Sequence, residues 1–245
     1  MKINLMSLAF KTKDTERNKK IIIKSMREYA HKADLLVFGE SFLHGFEALS
    51  WDYEKDKAIA IDLDDDIIKE IKLAARENSI AVSFGMIEKV GEALYSSQIT
   101  IDKAGEVIDV FRRVSDGWKE PIADAHYKEG EGFHTFTLEG KKIFVGICGD
   151  LWHEELIEKA GAIEKDLVLW PVYTDFEPRV WNEEEKLEYA KQAAKLKAPV
   201  LYVNSVCYDF DKPYISKGGA CHFCGGEIIK EVPSGAEAVL DIDIA

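Results

Sequence analysis

A cysteine placed where an apolar run ends is the first residue of this sequence whose position suggests chemistry. In "KKIFVGICGDLWHEE", residues 141–155, the stretch 143–147 reads as a buried strand and stops at Cys148, Gly149 and Asp150 before a helix-like segment. A thiol at a helix N-terminus meets unpaired N–H groups and the positive end of the dipole, which would lower its pKa and make it a nucleophile. Gly149 would let the backbone approach a substrate closely, and its N–H could hold an oxyanion. Free Cys is more often a small buried hydrophobe, so position alone does not decide between packing and reactivity.

Two further segments bear on that choice. Glu40 closes the apolar run "DLLVFGE", and a carboxylate at the mouth of a buried strand is costly unless it is paired or used. Arg112 and Arg113 close "GEVIDVFRR"; neighbouring strand residues point to opposite faces, so only one of them can reach a pocket shared with Cys148 and Glu40. A fixed cation there would depress the thiol pKa and steady an oxyanion. Each charge taken singly reads equally well as solvated surface. Lys119 and Glu120 lie in the loop beyond, and Trp152, His153, Tyr173 and Phe176 follow the ends of strands where they could line a pocket or simply pack.

These residues need a frame that brings strand ends together. Apolar runs at 2–10, 34–40, 80–89, 92–102 and 105–113 read as strands, with helical periodicity at 15–32 and 64–79. Residues 114–132 carry Gly117, Pro121, Gly130 and Gly132, which mark a long loop. A hairpin over 133–147, a helix at 154–160, a strand at 166–172, a helix at 181–198 and strands at 199–206, 218–224, 226–232 and 236–244 complete the pattern. In the helix at 181–198 the apolar positions Leu187, Ala190, Ala194 and Leu196 are expected to cover a sheet. Helices alternate with strands in both halves and strands pair in the middle, which implies an α/β domain with more than one sheet under helices.

The chain has 245 residues, 47% hydrophobic, with a formal net charge of -13. That length suits one domain spanning 1–245. The acidity argues against a nucleic-acid or anionic-membrane surface. No apolar run approaches the roughly 18 residues of a membrane-spanning helix, and the N-terminus lacks a signal-like apolar core, so a cytoplasmic protein is expected. Four Cys are too few for a disulfide scaffold. "CHFC", residues 221–224, has the spacing of half a zinc site or a redox pair, but strand alternation would set Cys221 and Phe223 on one face and His222 and Cys224 on the other. His31, His44, His126 and His134 show no ligand spacing.

Taken together and in order, "DLLVFGESFLHGF", "LYSSQITIDKAGEVIDVFRR", "YKEGEGFHTF", "VGICGDLWHEE" and "WNEEEKLEYAKQAAKLKAPVLYVNSV" resemble the carbon–nitrogen hydrolase, or nitrilase-like, superfamily over nearly the whole chain. The resemblance implies a four-layer α-β-β-α sandwich and a Glu–Lys–Cys triad without metal or organic cofactor. Glu40 matches the general base and Cys148 the nucleophile. The lysine position falls on Arg113, which keeps a permanent charge on a larger planar head; Lys119 is the alternative occupant, and Glu120 matches a second glutamate that positions substrate and water. The implied activity is hydrolysis of a small linear amide or N-carbamoyl amine through a Cys thioester. The alternatives are a silent small-molecule-binding member of the same fold, motivated by Arg113, and glutaminase-like or nitrile-hydrolysing activity, the former because of "CGDLW". A homodimer or larger homo-oligomer is a further implication.

Overall fold

The computed structural model describes residues 1–209, 211 and 215–244. Its strands, in chain order, are β1 (Lys2–Ser7), β2 (Ala9–Phe10), β3 (Leu35–Phe38), β4 (Ala81–Val90), β5 (Ala93–Ile101), β6 (Val107–Arg112), β7 (Thr135–Leu138), β8 (Lys141–Val145), β9 (Leu167–Val172), β10 (Val200–Asn204), β11 (Val206–Cys207), β12 (Ala220–Cys224), β13 (Glu227–Val232) and β14 (Ala238–Asp243). The helices are α1 (Thr15–Tyr29), the one-turn α2 (Tyr53–Asp56), α3 (Asp66–Asn78), α4 (Glu154–Ala162), the short α5 (Pro178–Val180) and α6 (Lys186–Ala194).

Among the described residues the strands form two mixed six-stranded sheets, ordered β14-β1-β3-β4-β5-β6 and β13-β12-β10-β9-β8-β7, with β11 and β2 as a small parallel pair. Each sheet has a parallel centre, β1-β3-β4 in one and β10-β9-β8 in the other, and antiparallel edges. The two-residue period of the strands sorts their side chains into layers. Leu35, Val37, Leu167, Leu169, Leu201 and Val203 point into the space between the sheets. Their neighbours Leu36 and Phe38 face outward against Ile22 and Met26 of α1 and Ile68 and Ile71 of α3. On the far side Val168, Trp170 and Tyr202 face outward against Ile157 of α4 and Tyr189 and Ala193 of α6. The result is the expected four-layer α-β-β-α sandwich.

The two sheets touch where the site lies. A side chain on Gly39 would stand 2.6 Å from Ser205 Oγ and 3.1 Å from Val172 O, so only glycine lets the end of β3 touch the ends of β9 and β10. The Glu40 amide donates across this junction to Val172 O at 3.3 Å. Gly85 of β4 lies beneath the same turn, where a Cβ would meet Ser41 N at 2.1 Å.

The helix expected at 181–198 is divided. A π-helical turn, Trp181–Glu185, precedes α6 and adds a residue to the helical repeat. In α6 itself Tyr189, Ala190, Gln192 and Ala193 are buried. Leu187 is 48% exposed and Ala194 is exposed, so two of the positions expected to cover the sheet do not. The strands expected at 2–10 and 199–206 are likewise each broken in two. No helix among the described residues is long and apolar enough to cross a membrane.

Candidate active site

Three strand ends converge at one end of the sandwich. Glu40 lies two residues past β3, Arg113 one residue past β6 and Cys148 three residues past β8. Arg113 Nη1 donates to Glu40 Oε1 at 2.8 Å, with both side chains almost fully buried. The other carboxylate oxygen, Oε2, accepts from the Tyr173 amide at 3.1 Å, and Ser96 Oγ donates to Oε1 at 3.4 Å. The Cys148 thiol donates to the Tyr173 carbonyl at 3.8 Å and lies close enough to the Glu40 carboxylate to feel its charge.

The two arginines divide as strand alternation requires. Arg112 turns away to Glu88, which it grips through Nε at 2.7 Å and Nη2 at 2.8 Å, and stacks on Tyr95. Arg113 is fixed by its backbone, N to Ser96 O at 2.9 Å and O from Gly130 N at 2.8 Å, and by Nε donating to Ser115 Oγ at 2.9 Å. Among the described residues its Nη2 has no hydrogen-bond acceptor in the protein.

Cys148 does not sit at the start of α4 as the sequence suggested. It opens a 3-10 turn, Cys148–Leu151, and α4 begins only at Glu154 with His153 as its cap. Its φ is 44°, the left-handed region, a strain of roughly 1–3 kcal/mol that surrounding contacts must over-determine. Trp170 Nε1 anchors the Cys148 carbonyl at 3.0 Å. Asp150, fully buried, accepts from Ile147 N at 3.0 Å through Oδ2, and from Val114 N at 3.0 Å and Ser115 N at 2.7 Å through Oδ1. One carboxylate thereby ties the Arg113 turn to the Cys148 turn.

The electrostatics also differ from expectation. Burial, seconded by the Glu40 charge, pushes the Cys148 thiol up to about 12, and Arg113 only partly opposes this. Burial of the Arg113 guanidinium works against its charge, but the carboxylates around it, Glu40 foremost, outweigh it and hold its pKa above the ordinary value. Burial raises Asp150 to about 6 despite Arg113 and its N–H donors. The resting thiol is therefore neutral.

The remaining expected residues are placed less centrally. Lys119 pairs with Glu129, its Nζ 3.4 Å from Tyr127 O, and is not among the partners of Glu40. Glu120 is exposed, and no side-chain bond joins it to the group around Cys148. Trp152, 41% exposed, packs edge-on against Tyr189 at 4.8 Å, and His153 is exposed beside Ser115 and Glu129 on an open cleft. Tyr173 reaches the site through its backbone; its ring stacks on Phe46 at 4.7 Å. Four neighbours were not foreseen: Ser96, Ser115, Asp150 and Tyr189, whose phenol is held above its ordinary pKa by burial, with the Glu40 charge adding to it. The "SS" inside a buried strand and the Asp of "CGD" are polar residues in apolar surroundings, the one signal that marked them. At "CHFC", Cys221 and Phe223 are buried while Cys224 is exposed, the alternation expected; no cluster of three or more His, Cys, Asp or Glu suited to a metal occurs among the described residues.

This arrangement of strands and side chains accompanies a match of residues 3–245 to the carbon-nitrogen hydrolase family. The chain belongs to that family. It is 26% identical over 215 residues to a citrullinase from Francisella tularensis subsp. tularensis, covering 83% of this chain and 73% of that protein. Among solved structures, the NitN amidase from Nesterenkonia sp. AN1 superposes with a TM-score of 0.78 at 19% identity, covering all of this chain and 93% of that one. A glutamate-to-glutamine variant of that amidase, showing covalent addition of the acetamide moiety of fluoroacetamide at its active-site cysteine, gives a TM-score of 0.77 at 20% identity over 99% and 89% of the two chains. At these identities the superpositions establish the fold.

Proposed function

We propose that this carbon-nitrogen hydrolase cleaves a small non-peptide C–N bond, in a linear amide or an N-carbamoyl amine, through a thioester on Cys148. The observation that carries the reading is the buried Glu40–Arg113 pair, 2.8 Å apart, with the Cys148 thiol beside the same carboxylate. Glu40 takes the thiol proton as sulfur attacks the carbonyl carbon, and the carbonyl electrons move onto oxygen. The free Nη2 of Arg113, with the Gly149 N–H, holds that oxyanion. As the tetrahedral intermediate collapses, the C–N bond breaks and the nitrogen leaves with the proton from Glu40. The carboxylate then accepts a proton from water attacking the thioester, and returns it to sulfur when the acid departs.

The amidase superpositions and the citrullinase relationship support amide and ureido substrates alike. Ammonia release is to be measured across ω-amides, N-carbamoyl amines, short aliphatic amides and nitriles, with Cys148→Ala as control and intact-mass detection of an acyl adduct. Turnover of an amide or ureido compound, abolished by the substitution, supports the proposal. Activity on nitriles alone, or ligand binding without any turnover or adduct, refutes it; the latter is the outcome for a silent binding protein.

A further inference from the structure

Gly149 follows the thiol, and the space beside its Cα is already filled. A Cβ built on it would stand 2.5 Å from Arg113 Nη2, with Ser115 Oγ at 3.3 Å and Arg113 Cζ at 3.5 Å. Real Cβ atoms essentially never approach so closely. The backbone is not what demands glycine, because Gly149 lies outside the left-handed region and its conformation is open to any L residue. What excludes a side chain is the guanidinium. The end of an arginine can ordinarily swing aside, but this one is pinned by Nη1 to Glu40 at 2.8 Å and Nε to Ser115 at 2.9 Å. It is also planar, so Nη2 cannot move alone. Displacing it means breaking one of those two bonds in a buried site.

We propose that Gly149 is the positioning residue for Arg113: its missing side chain leaves the volume in which the guanidinium lies flat against the nucleophile turn, bonded to Glu40 with Nη2 facing the reacting carbonyl. The steric part rests on geometry alone, and its effect on rate rests on the hydrolase reading above. The two residues therefore behave as one unit. A side chain at 149 is compatible with a slimmer cation at 113, such as the compact ammonium of lysine, and incompatible with arginine. Gly117 supplies an internal control, because a Cβ there would meet the same Nη2 at 3.5 Å, ordinary van der Waals contact.

The test is a pair of double-mutant cycles. Gly149→Ala, Arg113→Lys and their combination are assayed for kcat and KM on a short aliphatic amide and for the rate of Cys148 alkylation by iodoacetamide. Gly149→Ala is expected to cut kcat at least tenfold with KM changed much less. The combination is expected to be at least tenfold more active than the product of the single effects, while Gly117→Ala stays within twofold of the unsubstituted protein. Combined effects within threefold of that product, or full kcat in Gly149→Ala, would overturn the proposal. In the second cycle Gly149→Ala is added to Arg113→Ala, where no guanidinium remains to be struck. The melting temperature should then match that of Arg113→Ala, and a further fall or failure to fold overturns the proposal even if Gly149→Ala alone cannot be purified. Should the protein hydrolyse no amide, the hydrolase reading fails, and the coupling is still read from alkylation and melting.

Discussion

Replacing Glu40 by Gln tests whether the thiol ionises through its neighbour or through water. With the thiol pushed from the ordinary 9.0 up to about 12, the free thiolate population at pH 7 is about a thousandfold smaller than that of an unperturbed cysteine. A more basic sulfur is intrinsically more nucleophilic, by ~20–30-fold over three pH units for a Brønsted slope near 0.4–0.5. Alkylation through water-borne ionisation would thus run ~30–50-fold slower than for free cysteine and rise tenfold per pH unit. The nearby Glu40 carboxylate offers another route, in which the proton passes to the carboxylate and back. The rate of that route does not depend on hydroxide, so iodoacetamide labelling of the unsubstituted protein should be nearly flat between about pH 6 and 9. In Glu40→Gln the acceptor is gone and labelling should climb about tenfold per unit. Because the Glu40 charge is itself one cause of the raised thiol pKa, the two curves should cross, with the variant faster at high pH. Turnover in the variant should fall by ~10²–10⁴, the usual size of a lost general base. Parallel pH slopes in the two proteins would refute the assignment of Glu40 as proton acceptor.

Three other substitutions separate structural from chemical roles. Arg112→Ala leaves the fully buried Glu88, among the described residues, with only the Ser97 hydroxyl at 2.7 Å, so chemical denaturation should show a loss of about 3 kcal/mol, with much less change in kcat because Arg112 does not touch Glu40. Burial lowers His44 to about 4; Ile87 N donates to its Nδ1 at 3.1 Å, which leaves Nε2–H to donate to Ile59 O at 2.9 Å. A histidine held neutral contributes stability that is complete above its unfolded value of 6.5 and is lost as pH falls toward 4, about 2 kcal/mol by pH 5. Urea melts at pH 7.5 and pH 5 should show this loss, and His44→Gln should remove most of the difference; an undiminished pH dependence contradicts the assignment. Asp150→Asn puts an amide group where one carboxylate oxygen now accepts a backbone N–H, which frees at least one donor between Ile147 and Ser115 at a cost of about 1–3 kcal/mol. Both kcat and alkylation rate should fall as the Arg113 turn loosens from Cys148, and a variant that loses stability but keeps both rates would restrict Asp150 to folding.

The meeting of Glu40, Arg113 and Cys148 was legible because each stands just past an apolar run, and parallel strands in facing sheets deliver such ends to one side. Alternation alone left Arg112 and Arg113 an either-or and only the family resemblance selected Arg113; in the structure Glu88, from the neighbouring strand but one, holds Arg112 while Arg113 pairs with Glu40. What stayed hidden has physical causes. Tyr173 acts through its N–H and carbonyl, which no side-chain pattern reveals. The buried face of α6 is centred on Tyr189, Gln192 and Ala193, beside the Leu187–Ala190–Ala194 stripe, because the helix turns its aromatic ring toward Trp170, Trp181 and Tyr202; a period read from aliphatic residues alone does not locate that centre. The sign of the thiol shift was missed because a helix terminus and a cation were weighed without desolvation, which is the largest contribution in this enclosed turn.

That sign bears on how such a site would work. The group buried around Cys148 holds one permanent cation, Arg113, against the carboxylates of Glu40 and Asp150, the latter raised to about 6. A thiolate formed in this setting adds a further negative charge where none is wanted, and the protein keeps the proton on sulfur at rest. When a carbonyl is in reach, the electrons released by sulfur need not stay there: they pass to the carbonyl oxygen, beside the unsatisfied Nη2 of Arg113. The negative charge is then stabilised at a position that exists only during reaction, which is the condition for lowering a barrier and not merely for binding. A site that instead lowered the thiol pKa at rest would spend the same guanidinium on the ground state, whereas under the proposed mechanism Arg113, already committed through Nη1 to Glu40 and through Nε to Ser115, would keep its third nitrogen for the transition state.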